Sequence, residues 1–196
     1  MNVLGKQRDF FIRQKTKDVS FRKEALKRLQ KEIIAREDDI AEAIYKDFKK
    51  PKFETLAAET QFVLAELKLT LKNIDHWAAP ERKSASLMNW PSSDWIYREP
   101  YGAVLIIAPW NYPFQLAFAP MIAAVAAGNT VVVKPSEVTP HTASIISEIV
   151  SAVFVTEHVT VVEGGVEVSQ ELLAEKWDYI FFTGSSRVGQ IVYESA

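Results

Sequence analysis

The chain contains no cysteine. It therefore forms no disulfide, holds no Cys-ligated metal and brings no thiolate of its own to a substrate. Histidine is scarce as well: His76, His141 and His158 lie far apart, without metal-ligand spacing. Neither sign of charge is in large excess. A formal net charge of -2 gives no reason to expect nucleic acid or a membrane surface as the main partner. Long hydrophobic runs are missing too. The longest apolar stretch, about 114–127, is shorter than a bilayer span and is interrupted by Pro120. The opening Met-Asn-Val-Leu-Gly-Lys-Gln-Arg has no apolar signal core, so no membrane anchor and a cytoplasmic location are expected.

What is present suits one hydrophobic core, or one core with a small appendage. Hydrophobic residues at 48% and charged residues at 24% are ordinary for a globular chain of 196 residues. Basic residues crowd positions 1–52 and acidic residues dominate the rest. A solvated helix surface explains this, with a steering patch for an anionic ligand as the sharper alternative.

Hydrophobic spacing divides the chain into three regions: 1–76, 77–101 and 102–196. Leu26, Leu29, Ile33, Ile40, Ile44 and Phe48 recur on one helical face, which predicts a helix over 20–48 capped by Ser20. A second stripe of Leu56, Val63, Leu67, Leu71 and Ile74 predicts a helix over about 54–76. These helices read as packing surface. Residues 77–101 are punctuated by Pro80, Pro91 and Pro100 and interleaved with Trp77, Trp90 and Trp95. They read as an extended arm or hairpin that either folds back or pairs with another subunit.

From residue 102 the pattern is regular. Ala103–Ile107, Thr130–Lys134, Val159–Val162 and Asp178–Phe182 have strand composition. Helices are expected between them, at about 113–127 with Gly128 as its stop, at 140–154 capped by Thr139-Pro140, and at 168–175, with a last helix after Gly184. Alternation of this kind means βαβ crossovers and a mainly parallel sheet. In such sheets ligands gather at the carboxyl ends of the strands.

Four motifs lie just after strands. In Pro109-Trp110-Asn111-Tyr112-Pro113, the Asn amide suits a developing oxyanion, or is simply a turn between two prolines. Lys134 and Glu137 can donate to and accept from a ribose diol, or end a strand as solvated charges. A carboxylate at that point disfavours a 2′-phosphate. Gly184-Ser185-Ser186-Arg187-Val188-Gly189 leads a strand into a helix whose free N–H groups suit phosphate, although its spacing is not the usual G-x-G-x-x-G. Glu163-Gly164-Gly165 is a turn, or bare backbone that an adenine ring can approach.

In this order on consecutive strand ends, the segments Glu99–Phe114, Gly128–Glu137, Val161–Gly165 and Phe181–Gly189 resemble the aldehyde dehydrogenase superfamily. The similarity is nearest to its class 3-like branch and covers essentially the whole chain. It implies an α/β fold: a Rossmann-like parallel sheet with two N-terminal helices and an extended arm, an incomplete aldehyde dehydrogenase fold. It implies that Asn111 stabilises the oxyanion and that Lys134 and Glu137 hold the adenosine ribose. Gly184, Ser185 and Gly189 would lie near the pyrophosphate, Val188 beside the adenine and Trp110 on the cofactor side. The cofactor would be NAD, with NADP as the alternative, the substrate a small-molecule aldehyde, and the complete protein a homodimer. In that family a Cys thiolate attacks the aldehyde and a Glu serves as general base. Both motifs lie beyond where this chain stops, so these residues alone are expected to be inactive. The competing expectation is a non-catalytic module that binds nucleotide or docks on a partner through residues 77–101.

Overall fold

The computed structural model describes residues 3–196. The N-terminal region is more divided than its hydrophobic stripes suggest. Helix α1 spans Val3–Ile12, α2 Val19–Ala35, α3 Glu37–Phe48 and α4 Lys52–Thr55. A π-helical turn, Leu56–Thr60, then runs into α5, Gln61–Ala78. The single helix expected over 20–48 is thus two helices, broken at Arg36 (φ -114°, ψ 19°). The break is silent in the pattern because Ile33 and Ile40, seven residues apart, still point into the same core. Ser20 is not the N-cap of α2. Asp18 is, its carboxylate accepting from the Ser20 amide at 2.9 Å.

Residues 81–96 form an antiparallel hairpin of β1 (Glu81–Lys83) and β2 (Asp94–Ile96), with Glu81 opposite Ile96. The second half of the chain alternates as expected: β3 Ala103–Ile107, α6 Pro113–Ala127, β4 Thr130–Lys134, α7 Pro140–Val153, β5 Val159–Val161, α8 Val166–Leu173, β6 Tyr179–Phe182 and α9 Ser186–Ser195. Its four strands are parallel, in the order β5-β4-β3-β6. β3 and β4 are buried on both faces, which explains their unbroken apolar runs.

Alternation of side chains along the strands divides the core between the two faces. Val104, Ile106, Val131 and Val133 meet α2, α3, α5, α6 and α7 in the larger cluster. Leu105, Ile107 and Val132 meet Val192 of α9, Leu172 and Leu173 of α8 and Val3 of α1 in the smaller one. α6 and α9 therefore leave the sheet toward opposite faces, although β3 and β6 are neighbours.

Helix ends are closed by distant residues. Gly128 stops α6 with φ 97°, where a Cβ would also lie 2.9 Å from the Arg22 guanidinium. Arg22 donates to the carbonyls of Ala126 and Lys17 at 3.1 and 2.7 Å, so it caps that end of α6. Thr139 does not cap α7. Its hydroxyl donates to the Ser136 carbonyl, and Asp47 of α3 accepts from the Thr142 amide (2.8 Å), the Thr142 hydroxyl (2.7 Å) and the His141 amide (3.2 Å).

Candidate functional site

Ile107, the last residue of β3, pairs in register with Lys134 of β4 on one side and Phe182 of β6 on the other. Cross-strand partners share a face, and Ile107 and Phe182 both belong to the smaller cluster. Lys134, Ile107 and Phe182 thus form one level row across three parallel strands. The segments that follow each strand start from that row and open on one rim. The sheet order also reverses here: the chain steps from β3 outward to β4 and β5, then returns to the far side of β3 as β6. A crevice at the carboxyl ends of such strands is the general place for a ligand in this architecture.

Lys134 is 3% exposed, and its ammonium donates to Glu137 at 2.7 Å. Glu137 is nearly half exposed. That hydrogen bond holds the Glu137 carboxyl below the usual carboxylate range, against the opposing effect of burial. The rim therefore carries a buried ammonium beside an ionised, accessible carboxylate. A partner with adjacent donor and acceptor groups can be held between them.

The turn after β6 is shaped by one aromatic ring. A Cβ on Gly184 would come within 2.4 Å of Phe182 Cζ, whereas one on Gly189 would sit 3.4 Å from the same ring. A side chain at Gly184 would thus have to displace the Phe182 ring. Ser185 is the N-cap of α9, its hydroxyl accepting from the Val188 amide at 3.4 Å. Val188 is 43% exposed in the first turn of that helix. Gly164, with φ 151°, has Val168 packed beneath it, so a Cβ would meet Val168 Cγ2 at 2.3 Å. Gly164 and Gly165 open α8, which packs on the same face as α9. They follow the outer strand β5, three strand spacings or about 14 Å from β6.

Trp110, Asn111 and Tyr112 stand exposed between β3 and α6. The Trp110 ring leans on Phe48 at 6.2 Å between centroids. Behind the loop, Pro113 begins α6, whose next two amides, Phe114 and Gln115, donate to the wholly buried carboxylate of Glu59 at 2.9 and 3.4 Å. Lys50 neutralises that carboxylate at 2.6 Å. Sequence reasoning passed over Lys50, Glu59 and Asp47. Their partners lie up to 95 residues away, and the one local hint was a polar Glu59 inside an otherwise packed helix.

Asn111, Lys134 and the Gly184–Gly189 turn thus share one rim, with Trp110 on the same loop as Asn111. Gly164 and Gly165 open at the far side of the sheet. Among the described residues, no group of three His, Asp or Glu side chains is arranged to hold a metal, and no helix is long and apolar enough to cross a membrane.

The profile of the Aldehyde dehydrogenase family matches residues 8–196. The chain is 46% identical over its full length to the 4,4′-diaponeurosporen-aldehyde dehydrogenase of Staphylococcus aureus, and spans 44% of that protein. It is 37% identical over its full length to the mouse (Mus musculus) aldehyde dehydrogenase described as dimeric and NADP-preferring, spanning 43% of it. A solved substrate-bound structure of Staphylococcus aureus AldH superposes with a TM-score of 0.97 at 46% identity, over 99% of this chain and 42% of that one. The chain therefore spans about two-fifths of the length of the relatives it matches, and its α/β sheet corresponds to the same share of their fold.

Proposed function

Because the chain belongs to the aldehyde dehydrogenase family, we propose that it is the N-terminal, cofactor-binding part of a cytoplasmic enzyme that oxidises an aldehyde to a carboxylic acid with a nicotinamide dinucleotide. The reading rests above all on the level row of Lys134, Ile107 and Phe182. It supports a common rim for the oxyanion loop, the Lys–Glu pair and the glycine turn.

The residues present suit such a group. The Lys134 ammonium donates and the Glu137 carboxylate accepts, which is what the two hydroxyls of a ribose need. The free amides at the start of α9, together with its dipole, favour a pyrophosphate near Gly184, Ser185 and Gly189. Val188 offers an apolar contact to an adenine, and the bare backbone of Gly164 and Gly165 opens α8, which packs on the same face as α9. Trp110, exposed on the same loop as Asn111, would face the cofactor side. When bound, the nicotinamide accepts a hydride from the substrate carbon. Asn111 donates its amide N–H to the substrate oxygen as negative charge builds there, an interaction worth on the order of 2.7–4 kcal/mol. The negative charge of Glu137 opposes a 2′-phosphate and favours NAD. NADP is the second candidate, as in the mouse relative's description.

Titration calorimetry of the chain with NAD tests the reading. The parent binds, and Lys134→Met or Glu137→Gln weakens binding roughly tenfold or more, as loss of a hydrogen bond to a charged group requires. A parent that binds neither NAD nor NADP would sink the proposal. The chain has no cysteine to serve as nucleophile, so no aldehyde oxidation is expected from these residues alone. NAD-dependent turnover by the isolated chain would overturn that part.

A second reading, a module that docks on a partner, is favoured by the hairpin. Leu87 and Met88 between its strands are each 94% exposed, and Trp90 is 78% exposed. A homodimer joined through this arm accommodates both readings.

A further inference from the structure

The loop that carries Asn111 is held by residues that belong to none of the parallel strands. Glu59 is wholly buried. One of its oxygens accepts from the Phe114 and Gln115 amides at the start of α6, and the other accepts from Lys50 Nζ at 2.6 Å. The same ammonium lies 4.6 Å from the centre of the Tyr112 ring and 5.7 Å from that of Phe48. Phe48 in turn packs on Trp110. Both neighbours of Asn111, and the helix start behind it, are thereby tied to one ion pair.

The local backbone is built to permit this. Glu59 lies in the π-helical turn Leu56–Thr60. One extra residue in a turn rotates the following side chains by about 100° around the helix axis. A buried ion pair seldom adds net stability over apolar residues of the same shape, so its presence points to a demand for orientation.

We propose that Lys50 and Glu59 are positioning residues that fix the Asn111 amide where the substrate oxygen becomes negative. This rests on the reading of Asn111 as the oxyanion donor. A displacement of about 1 Å at such a donor can lower turnover by about 100-fold.

The test uses the complete enzyme that contains this chain, with NAD and an aldehyde. Lys50→Met and the neutral double variant Lys50→Met/Glu59→Gln are expected to lower kcat by about 10- to 100-fold. The KM for cofactor should change by less than kcat does, because the Lys134–Glu137 pair and the start of α9 are untouched even though Trp110 is coupled to the ion pair. Lys50→Arg, which keeps the charge over the Tyr112 ring, is expected to recover most of the loss. The double variant leaves no orphaned buried charge, so it decides the matter if Lys50→Met fails to fold. Parent-like kcat in these variants, or a loss that appears in the cofactor KM instead, would overturn the positioning role. An inactive parent would refute the oxyanion reading. Amide exchange in the 196-residue chain would then still judge the contact: it should be at least tenfold faster at Phe114 and Gln115 in the double variant, and unchanged rates would refute it.

Discussion

Gly184 and Gly189 are alike in sequence and unlike in space, and Phe182 is the reason. An added methyl at Gly184 collides with the ring edge at 2.4 Å, while at Gly189 it makes ordinary contact at 3.4 Å inside a helix. Gly184→Ala is therefore expected to destabilise the chain by about 1–3 kcal/mol through overpacking. Gly189→Ala should be neutral or stabilising by up to about 1 kcal/mol, because alanine is the better helix former. Urea denaturation of both variants measures the contrast, and equal losses would contradict it. If Gly189→Ala keeps its stability but loses affinity for NAD, the space above Gly189 belongs to the ligand. The spacing of these glycines was legible in the sequence. The ring that crowds one of them was not, since Phe182 read only as another apolar strand residue. Lys134 and Glu137 were legible as a pair because three residues separate them. Lys50 and Glu59 were not, since nothing local ties them to a loop more than 50 residues away.

The parallel strands and their crossover helices were readable because each is one continuous apolar or amphipathic run, and most have a glycine or proline at one border. What escaped was how the helices start. Both α6 and α7 begin with proline, and both take their capping carboxylate from the N-terminal helices: Glu59 for α6, Asp47 for α7. Local reading offered Thr139 instead, because propensity sees only neighbours in the chain. The break at Arg36 was hidden by the same limitation. Asp47→Ala is expected to cost about 1–2 kcal/mol, as for a strong N-cap, since three donors at the start of α7 lose their acceptor. Thr139→Val should cost less, because its hydroxyl donates to the Ser136 carbonyl and to no α7 amide among the described residues. Thermal denaturation of the two variants ranks them, and the reverse order would contradict the assignment of the cap to Asp47.

At the scale of the molecule, one core joins the N-terminal helices to the sheet, and His158 shows how closely they are bound. It precedes β5 and is 2% exposed, with its ring 5.7 Å from Phe10 of α1, 5.2 Å from Phe21 of α2 and 5.4 Å from Phe154, next to the end of α7. Among the described residues, Nε2 has no hydrogen-bond partner. Burial, followed by the nearby Arg28 charge, pushes its pKa down to about 4 from the usual 6.5. The folded chain thus holds the neutral imidazole, while the unfolded chain takes up a proton below pH 6.5. The stabilisation is complete above pH 6.5 and is lost progressively as the pH falls toward 4, by about 3 kcal/mol in all. His158→Phe keeps the aromatic packing and removes the proton site. Its stability should therefore fall less between pH 7 and pH 4.5 than the parent's, and the difference between the two urea-midpoint profiles isolates this residue from the carboxylates that titrate in the same range. Parallel profiles would mean that the ring is solvated in the folded state. The junction of α1, α2, α7 and β5 would then open far more readily than its packing implies.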